Sequence, residues 1–155
     1  HIYRVGVATH TLDVVVNGET VRTIPITTGK AGFLTRNGVK IIMSKEPQRR
    51  MRSETINIPR GSSEGYDLMV KWAMRLTNSG EFIHAAPLSV SAQGHRNVSH
   101  GCTGISTADA KWLYDLSQIG DVVEYTGSPR PMTLSNGYGD WNASWGAWTA
   151  GSALT

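Results

Sequence analysis

Asn17-Gly18 stands between two short runs rich in β-branched residues, Leu12 to Val16 and Val21 to Ile26. That dipeptide predicts a tight antiparallel hairpin, because both turn residues need positive φ, which asparagine and glycine tolerate. A chain that opens this way builds sheet from its first residues. Pro25 has no N–H for a central ladder, so the second arm belongs at a sheet edge.

The later segments extend the pattern. Val39 to Met43 reads as a short strand. Val70, Trp72, Met74 and Leu76 alternate with Lys71, Ala73, Arg75 and Thr77, the period of a half-buried strand. Glu81-Phe82-Ile83-His84 follows a turn at Gly80 and reads as its neighbour, and Asp121 to Tyr125 is a further strand. Gly29 to Gly38 is glycine-rich and loop-like. One helix is clear: Ser106 and Asp109 have capping-box spacing, Trp112, Leu113, Leu116 and Ile119 form an apolar stripe, and Gly120 ends it. Strands dominate, with the helix over one end.

Two stretches break this rhythm. Ser44 to Gly65 is polar, basic and aperiodic, and a loop that long reads as a lid or binding loop. Its Arg49, Arg50 and Arg52 have no interleaved aromatics, so they read as solvated and argue against nucleic-acid binding. Beyond Pro129, Trp141, Trp145 and Trp148 share one face of a short helix, a spacing that favours docking on a core over a sugar platform.

The length of 155 residues suits one domain with a real core, and 39% apolar and 17% charged residues are those of an ordinary globular protein. No 18-residue apolar run offers a spanning helix. The formal charge of +3 suits an anionic polymer without demanding one. The chain starts at His1-Ile2-Tyr3 without a methionine or signal peptide, and so reads as a processed or truncated piece.

The chemistry centres on Cys102, the single cysteine, within Asn97-Val98-Ser99-His100-Gly101-Cys102-Thr103-Gly104. A lone cysteine has no internal disulfide partner. Three readings compete. A buried structural thiol fits cysteine's usual preference, but Ser99-His100-Gly101 makes a poor core segment. Zinc held by His84, His95, His100 and Cys102 uses acceptable ligands, without the spacing of a metal motif. A nucleophile activated by a histidine from a neighbouring strand fits the polar turn, and a preceding glycine lets backbone N–H groups approach a developing oxyanion.

Ser99-His100-Gly101-Cys102, with an upstream Phe82-Ile83-His84, resembles the signature of the L,D-transpeptidases, cell-wall enzymes that pair a cysteine with a histidine. The similarity also takes in the opening hairpin, Thr35-Arg36-Asn37-Gly38, His84-Ala85-Ala86-Pro87 through Gln93-Gly94-His95, and the tryptophan-rich tail with Gly139-Asp140-Trp141-Asn142, which is similar to the mycobacterial branch. The resemblance implies a mainly β fold of β-sandwich type, with a catalytic domain over 1–127 and a docked tryptophan subdomain over 128–155. It implies no cofactor and no metal. Cys102 becomes the nucleophile that attacks a tetrapeptide stem at its third residue, a diaminopimelate. D-alanine leaves, a thioester forms, and an amine of a second stem makes a 3→3 cross-link. His84 activates the thiol and His100 lines it. Gly101 and Cys102 N–H groups with Tyr66 hold the oxyanion, Met51 contacts substrate from the lid, and Ser99 and Asn97 complete the binding side. His95 is read as structural. Peptidoglycan stems and carbapenems are the implied partners, and wall biogenesis and cell shape on the periplasmic side of the plasma membrane the implied setting. The missing N-terminal region is expected to carry further domains or an anchor.

Two positions depart from that pattern. Ala85 replaces a serine common after the catalytic histidine, so a backbone carbonyl or another side chain such as Asn97 must orient the imidazole. Thr103-Gly104 replaces an aliphatic residue followed by Asn or Arg, implying the loss of a stem-binding side chain. An L,D-carboxypeptidase with water as acceptor, and a catalytically silent wall-binding module, are the rival functions.

Overall fold

A computed structural model of the chain describes residues 1–52, 67–77 and 80–130. The hairpin stands where Asn17-Gly18 puts it, with φ of 51° and 81° at the two turn residues. It joins β2 (Thr11–Val16) to β3 (Glu19–Pro25). With β1 (Ile2–Gly6), β4 (Gly38–Ile41) and β9 (Val122–Thr126) they form a five-stranded sheet in the order β3-β2-β1-β9-β4. Pro25 lies on the edge strand, as its missing N–H requires. β1 and β9 run parallel, so the last strand enters the sheet's middle.

A second sheet holds β5 (Ser44–Arg52), β6 (Asp67–Arg75), β7 (Phe82–Ala85) and β8 (Thr103–Ile105), in that order. The fold is therefore mainly β, two sheets around a shared core. Tyr3, Leu12, Val14, Ile24, Val123 and Tyr125 from the first sheet meet Met74, Ile83, Ala85 and Ile105 from the second. Ala110 and Leu113 of α1 (Thr107–Leu116) close one end of that core.

The helix begins as its capping box predicts, with Asp109 N–H donating to Ser106 Oγ at 3.2 Å. It ends earlier than the apolar stripe suggests. Ser117 is the C-cap, extended at ψ 147° and donating its N–H to Leu113 O, and Ile119 lies exposed beyond it. The Ser117 hydroxyl donates to Leu113 O at 2.6 Å and is bonded to the buried Tyr3 hydroxyl, so side-chain chemistry stops the helix before Gly120.

Residues 44–52 are a correction to the loop reading of 44–65. They form the edge strand β5, paired with β6 from Ser44↔Arg75 to Arg52↔Asp67. An edge strand needs no apolar alternation when its long side chains satisfy one another. Arg49 pairs with Glu46 at 3.1 Å and Arg50 with Asp67 at 2.6 Å. Lys45 Nζ lies 4.3 Å over the Tyr114 ring and donates to Ser117 O. Pro47 costs no buried ladder bond at an edge. Residues 53–66, Tyr66 among them, and the tail with Trp141, Trp145 and Trp148 lie outside the described residues.

The alternation expected along 70–77 is also broken. Trp72 has φ of 56°, a left-handed conformation rare for a bulky residue. The backbone turns over there, so Val70 and Ala73 share one face with Phe82 while Met74 and Leu76 face the main core. The Trp72 ring packs on Tyr114 of α1 at 5.3 Å and carries Lys111 Nζ 4.9 Å above it.

Candidate active site

Both faces of β7 are used. Ile83 and Ala85 point into the core, and Phe82 and His84 point to the opposite face. β8 runs parallel beside it, pairing His84 with Gly104, so the turn before β8 brings Cys102 up next to Phe82. Among the described residues, a cavity of about 180 Å³ is lined by Met51, Leu68, His84, Ser99, His100 and Cys102. Residues from three separate strands and one turn thus converge on the thiol.

His84 is held by one bond. Its Nδ1 lies 2.8 Å from Ala85 O, and since a carbonyl only accepts, Nδ1 carries the proton and Nε2 is left as the basic nitrogen. The carbonyl of Ala85 itself is thus the orienting acceptor, and the side chain at 85 is irrelevant to it. Burial pulls the His84 pKa below its usual value, against the opposing effect of that backbone bond, so the ring rests neutral. Asn97 is committed elsewhere. Its Oδ1 accepts from Thr28 N and from His10 Nδ1, and its Nδ2 donates to Val7 O. It braces the segment before the cysteine turn and does not reach the imidazole.

Cys102 rests as a thiol. Its S–H points at Gly80 O, 3.5 Å away, and not at His84. Burial pushes the thiol up to about 12, with a backbone hydrogen bond from Phe82 and the Lys40 charge pulling down and Glu81 pushing up. Access to the cavity moderates that displacement, since the side chain is only partly buried.

The cysteine turn is fixed from the loop between β3 and β4. Thr35 Oγ1 donates to Gly101 O at 2.7 Å and accepts from Gly29 N at 2.9 Å. Lys30 N donates to Ser99 O, and Ser99 N to Thr28 O. Gly101 has φ of 122°, open only to glycine. Its N–H donates to Ser99 Oγ at 3.2 Å, and the same hydroxyl donates to Cys102 O at 2.6 Å. Ser99 therefore shapes the turn, and the Gly101 N–H expected to serve an oxyanion is already occupied. The His100 ring meets Phe33 edge-on at 4.7 Å and forms a cavity wall.

Gly104 is fixed by its backbone and by close neighbours. Its backbone is bonded in both directions with Thr27 while it pairs with His84. A Cβ there would lie 2.8 Å from Ala86 Cβ and 3.1 Å from Thr27 Cγ2. A side chain at this position would have to displace Ala86 or Thr27.

His95 is exposed and lines no part of the cavity, so the four-residue zinc set does not assemble. Among the described residues no group of three or more His, Cys, Asp or Glu side chains could hold a metal. Leu68, Thr35, Lys40 and Glu81 were not singled out by the sequence. Leu68 sits opposite Met51 in the β5–β6 ladder, so pairing register is the signal that finds it.

A two-sheet β fold that sets a histidine strand beside a cysteine turn, the two side chains sharing one cavity, defines the class of site. The YkuD family, described as an L,D-transpeptidase catalytic domain, matches residues 1–124, and the chain belongs to this family. It is 43% identical over 146 residues to L,D-transpeptidase 2 of Mycobacterium tuberculosis (strain CDC 1551 / Oshkosh), covering 94% of this chain and 36% of that protein. The solved structure of LdtMt1 in complex with imipenem superposes with a TM-score of 0.80 at 43% identity, covering 81% of this chain and 58% of that one. L,D-transpeptidase 3 of M. tuberculosis, solved with a faropenem-derived adduct, gives 0.76 at 32% identity, covering 81% and 59%. The chain thus spans about a third of that curated relative's length and under two thirds of the two solved chains.

Proposed function

We propose that this domain is a cysteine-dependent L,D-transpeptidase acting on peptidoglycan stems outside the cytoplasm. The observation that carries the reading is the shared cavity of Cys102 and His84, with Nδ1 of His84 tied to Ala85 O and Nε2 left basic. A neutral thiol beside a neutral imidazole favours general-base catalysis over a preformed ion pair. Rotation about the Cys102 Cα–Cβ bond takes S–H from Gly80 O towards Nε2. The proton passes to Nε2 as sulfur attacks the carbonyl carbon of the third stem residue, and the oxyanion forms.

Thr35 bears on that oxyanion. Because Gly101 O is held by Thr35, the trans peptide aims Cys102 N–H the opposite way, as the first backbone donor to the charge. Tyr66 is the second proposed donor, with Met51 as a substrate contact. The tetrahedral species collapses as His84 returns the proton to the departing D-alanine amine, leaving a thioester. A stem amine then attacks the thioester, gives its proton to His84, and the sulfur leaves to regain it. Carbapenems acylate the same sulfur by opening of the lactam.

The protein, incubated with a disaccharide-tetrapeptide, should release D-alanine and yield a 3→3 dimer by mass spectrometry. Tripeptide as the sole product would move the assignment to an L,D-carboxypeptidase. Neither product, with no covalent adduct, would leave a silent wall-binding module.

A further inference from the structure

Behind the thiol lies a charge pair that the proposed chemistry does not use. Lys40 is 1% exposed and Glu81 5%, and Lys40 Nζ lies 2.9 Å from Glu81 Oε1. Arg36 adds its backbone N–H and its guanidinium to Glu81 Oε2, at 3.0 and 3.3 Å. Lys40 Nζ also sits 3.7 Å over the Tyr125 ring, whose hydroxyl is 2.5 Å from Thr103 Oγ1. Both ends of this chain of contacts return to Cys102. Thr103 follows it in sequence, and Glu81 lies between Gly80, which accepts the S–H, and Phe82, which packs on the cysteine.

Burying an ammonium and a carboxylate is expensive, and an apolar pair would fill this space at lower cost. We propose that Lys40 and Glu81 are positioning residues for Cys102, holding the 80–82 cradle in place and biasing the sulfur's charge, Lys40 towards the thiolate and Glu81 against it. Burial lowers the Lys40 pKa and Glu81 raises it, with a smaller contribution from Cys102 itself, which places all three in one electrostatic unit. Around that unit, His84 on β7 and His100 on the cysteine turn share the cavity with Cys102, Tyr125 on β9 lies under Lys40, and Arg36 bonds Glu81. Arg49 and Arg75 lie over the Phe82 ring at 5.2 and 5.3 Å.

The inference rests on Cys102 as the reacting group, so the test reads the thiol directly as well as turnover. Iodoacetamide alkylation of Cys102 is followed by intact mass from pH 7 to pH 10 in the wild type, Lys40→Met, Glu81→Gln and the double variant. At pH 7 Lys40→Met should slow alkylation about tenfold and Glu81→Gln should speed it about tenfold, the effect of one nearby charge on a thiolate fraction, and the Lys40→Met effect should shrink towards pH 10 as the ammonium titrates. The double variant should return to within about twofold of wild type, the two opposing effects cancelling. Imipenem acylation should follow the same order. A merely structural pair would slow both single variants alike, and that result, or no change in either, overturns the proposal. Where Lys40→Met does not fold, adding it to Glu81→Gln should still slow alkylation about tenfold relative to Glu81→Gln alone. Opposite shifts in alkylation without any imipenem adduct would leave the charge pair standing and fail the transpeptidase reading.

Discussion

The two sheets obey different rules. In the first, β1 and β9 alternate strictly, with Tyr3, Val5, Val123 and Tyr125 inward and their neighbours outward. Its outer face needs only water, so one buried pattern suffices. The second sheet is occupied on both faces. Met74, Leu76, Ile83 and Ala85 meet the main core, while Val70, Ala73 and Phe82 form a separate cluster against Met51 and Cys102. To serve two faces, β6 reverses itself at Trp72, and β7 gives alternate positions to the main core and to the outer cluster and cavity. A sheet that carries a cavity cannot keep the simple pattern of a sheet that carries only a core.

If that division holds, the largest effects on covalent chemistry come from the outer face of the second sheet and leave the fold intact. Cys102→Ala should melt like the parent and form no adduct with imipenem by intact mass. A retained adduct would move the nucleophile elsewhere. His84→Gln should lower the acylation rate by about 10²- to 10⁴-fold, the usual contribution of a general base. A loss under about threefold would mean that the thiol reacts without this imidazole.

How far the sequence discloses this division follows from the same rules. The hairpin at Asn17-Gly18 and the cap at Ser106 rest on local chemistry, which a sequence displays directly. Cys102 and His84 were visible as reactive types in strand and turn contexts. β5 was hidden because a polar edge strand has no periodic signature, and the reversal at Trp72 because it is imposed by packing on α1. Lys40, Glu81 and Thr35 read as ordinary polar residues. Only the folded chain makes them interior groups. Asn97 is near enough in sequence to the cysteine turn to suggest itself as a partner for His84, but the fold spends its amide on Thr28, His10 and Val7 instead.

The converse test strikes the first sheet. Ile24→Ala on β3 empties a fully buried position that is not part of the cavity lining. It should cost about 2–5 kcal/mol of stability in chemical denaturation. The acylation rate of the folded fraction should stay unchanged, and a parallel fall in that rate would blur the contrast between the sheets. Thr35→Val probes the link between the two regions. It removes the donor to Gly101 O and the acceptor of Gly29 N while keeping the shape. The expected cost is about 1–3 kcal/mol for buried groups left unpaired. Acylation should slow as well, because the Cys102 N–H loses its fixed aim. A stability loss with full acylation rate would reduce Thr35 to a structural brace.

The smallest effect is the pH dependence that His84 confers on the fold. Its folded pKa lies below the unfolded value of about 6.5, so the unfolded chain binds the extra proton first as pH falls. The contribution of the neutral, buried ring is fully present above the unfolded pKa. It is lost as pH falls from there towards the folded pKa, at no more than about 1.4 kcal/mol per pH unit for one proton. Denaturation midpoints measured between pH 8 and pH 5 should therefore fall more steeply for the wild type than for His84→Gln, which has no proton to gain. Because the ring lies on the outer face of the second sheet, this slope reports the cost of placing a titrating base where an ordinary sheet would place a polar, solvated residue. Identical slopes for the two proteins would show that the imidazole titrates in the fold as it does in water, and that the cavity wall does not desolvate its base.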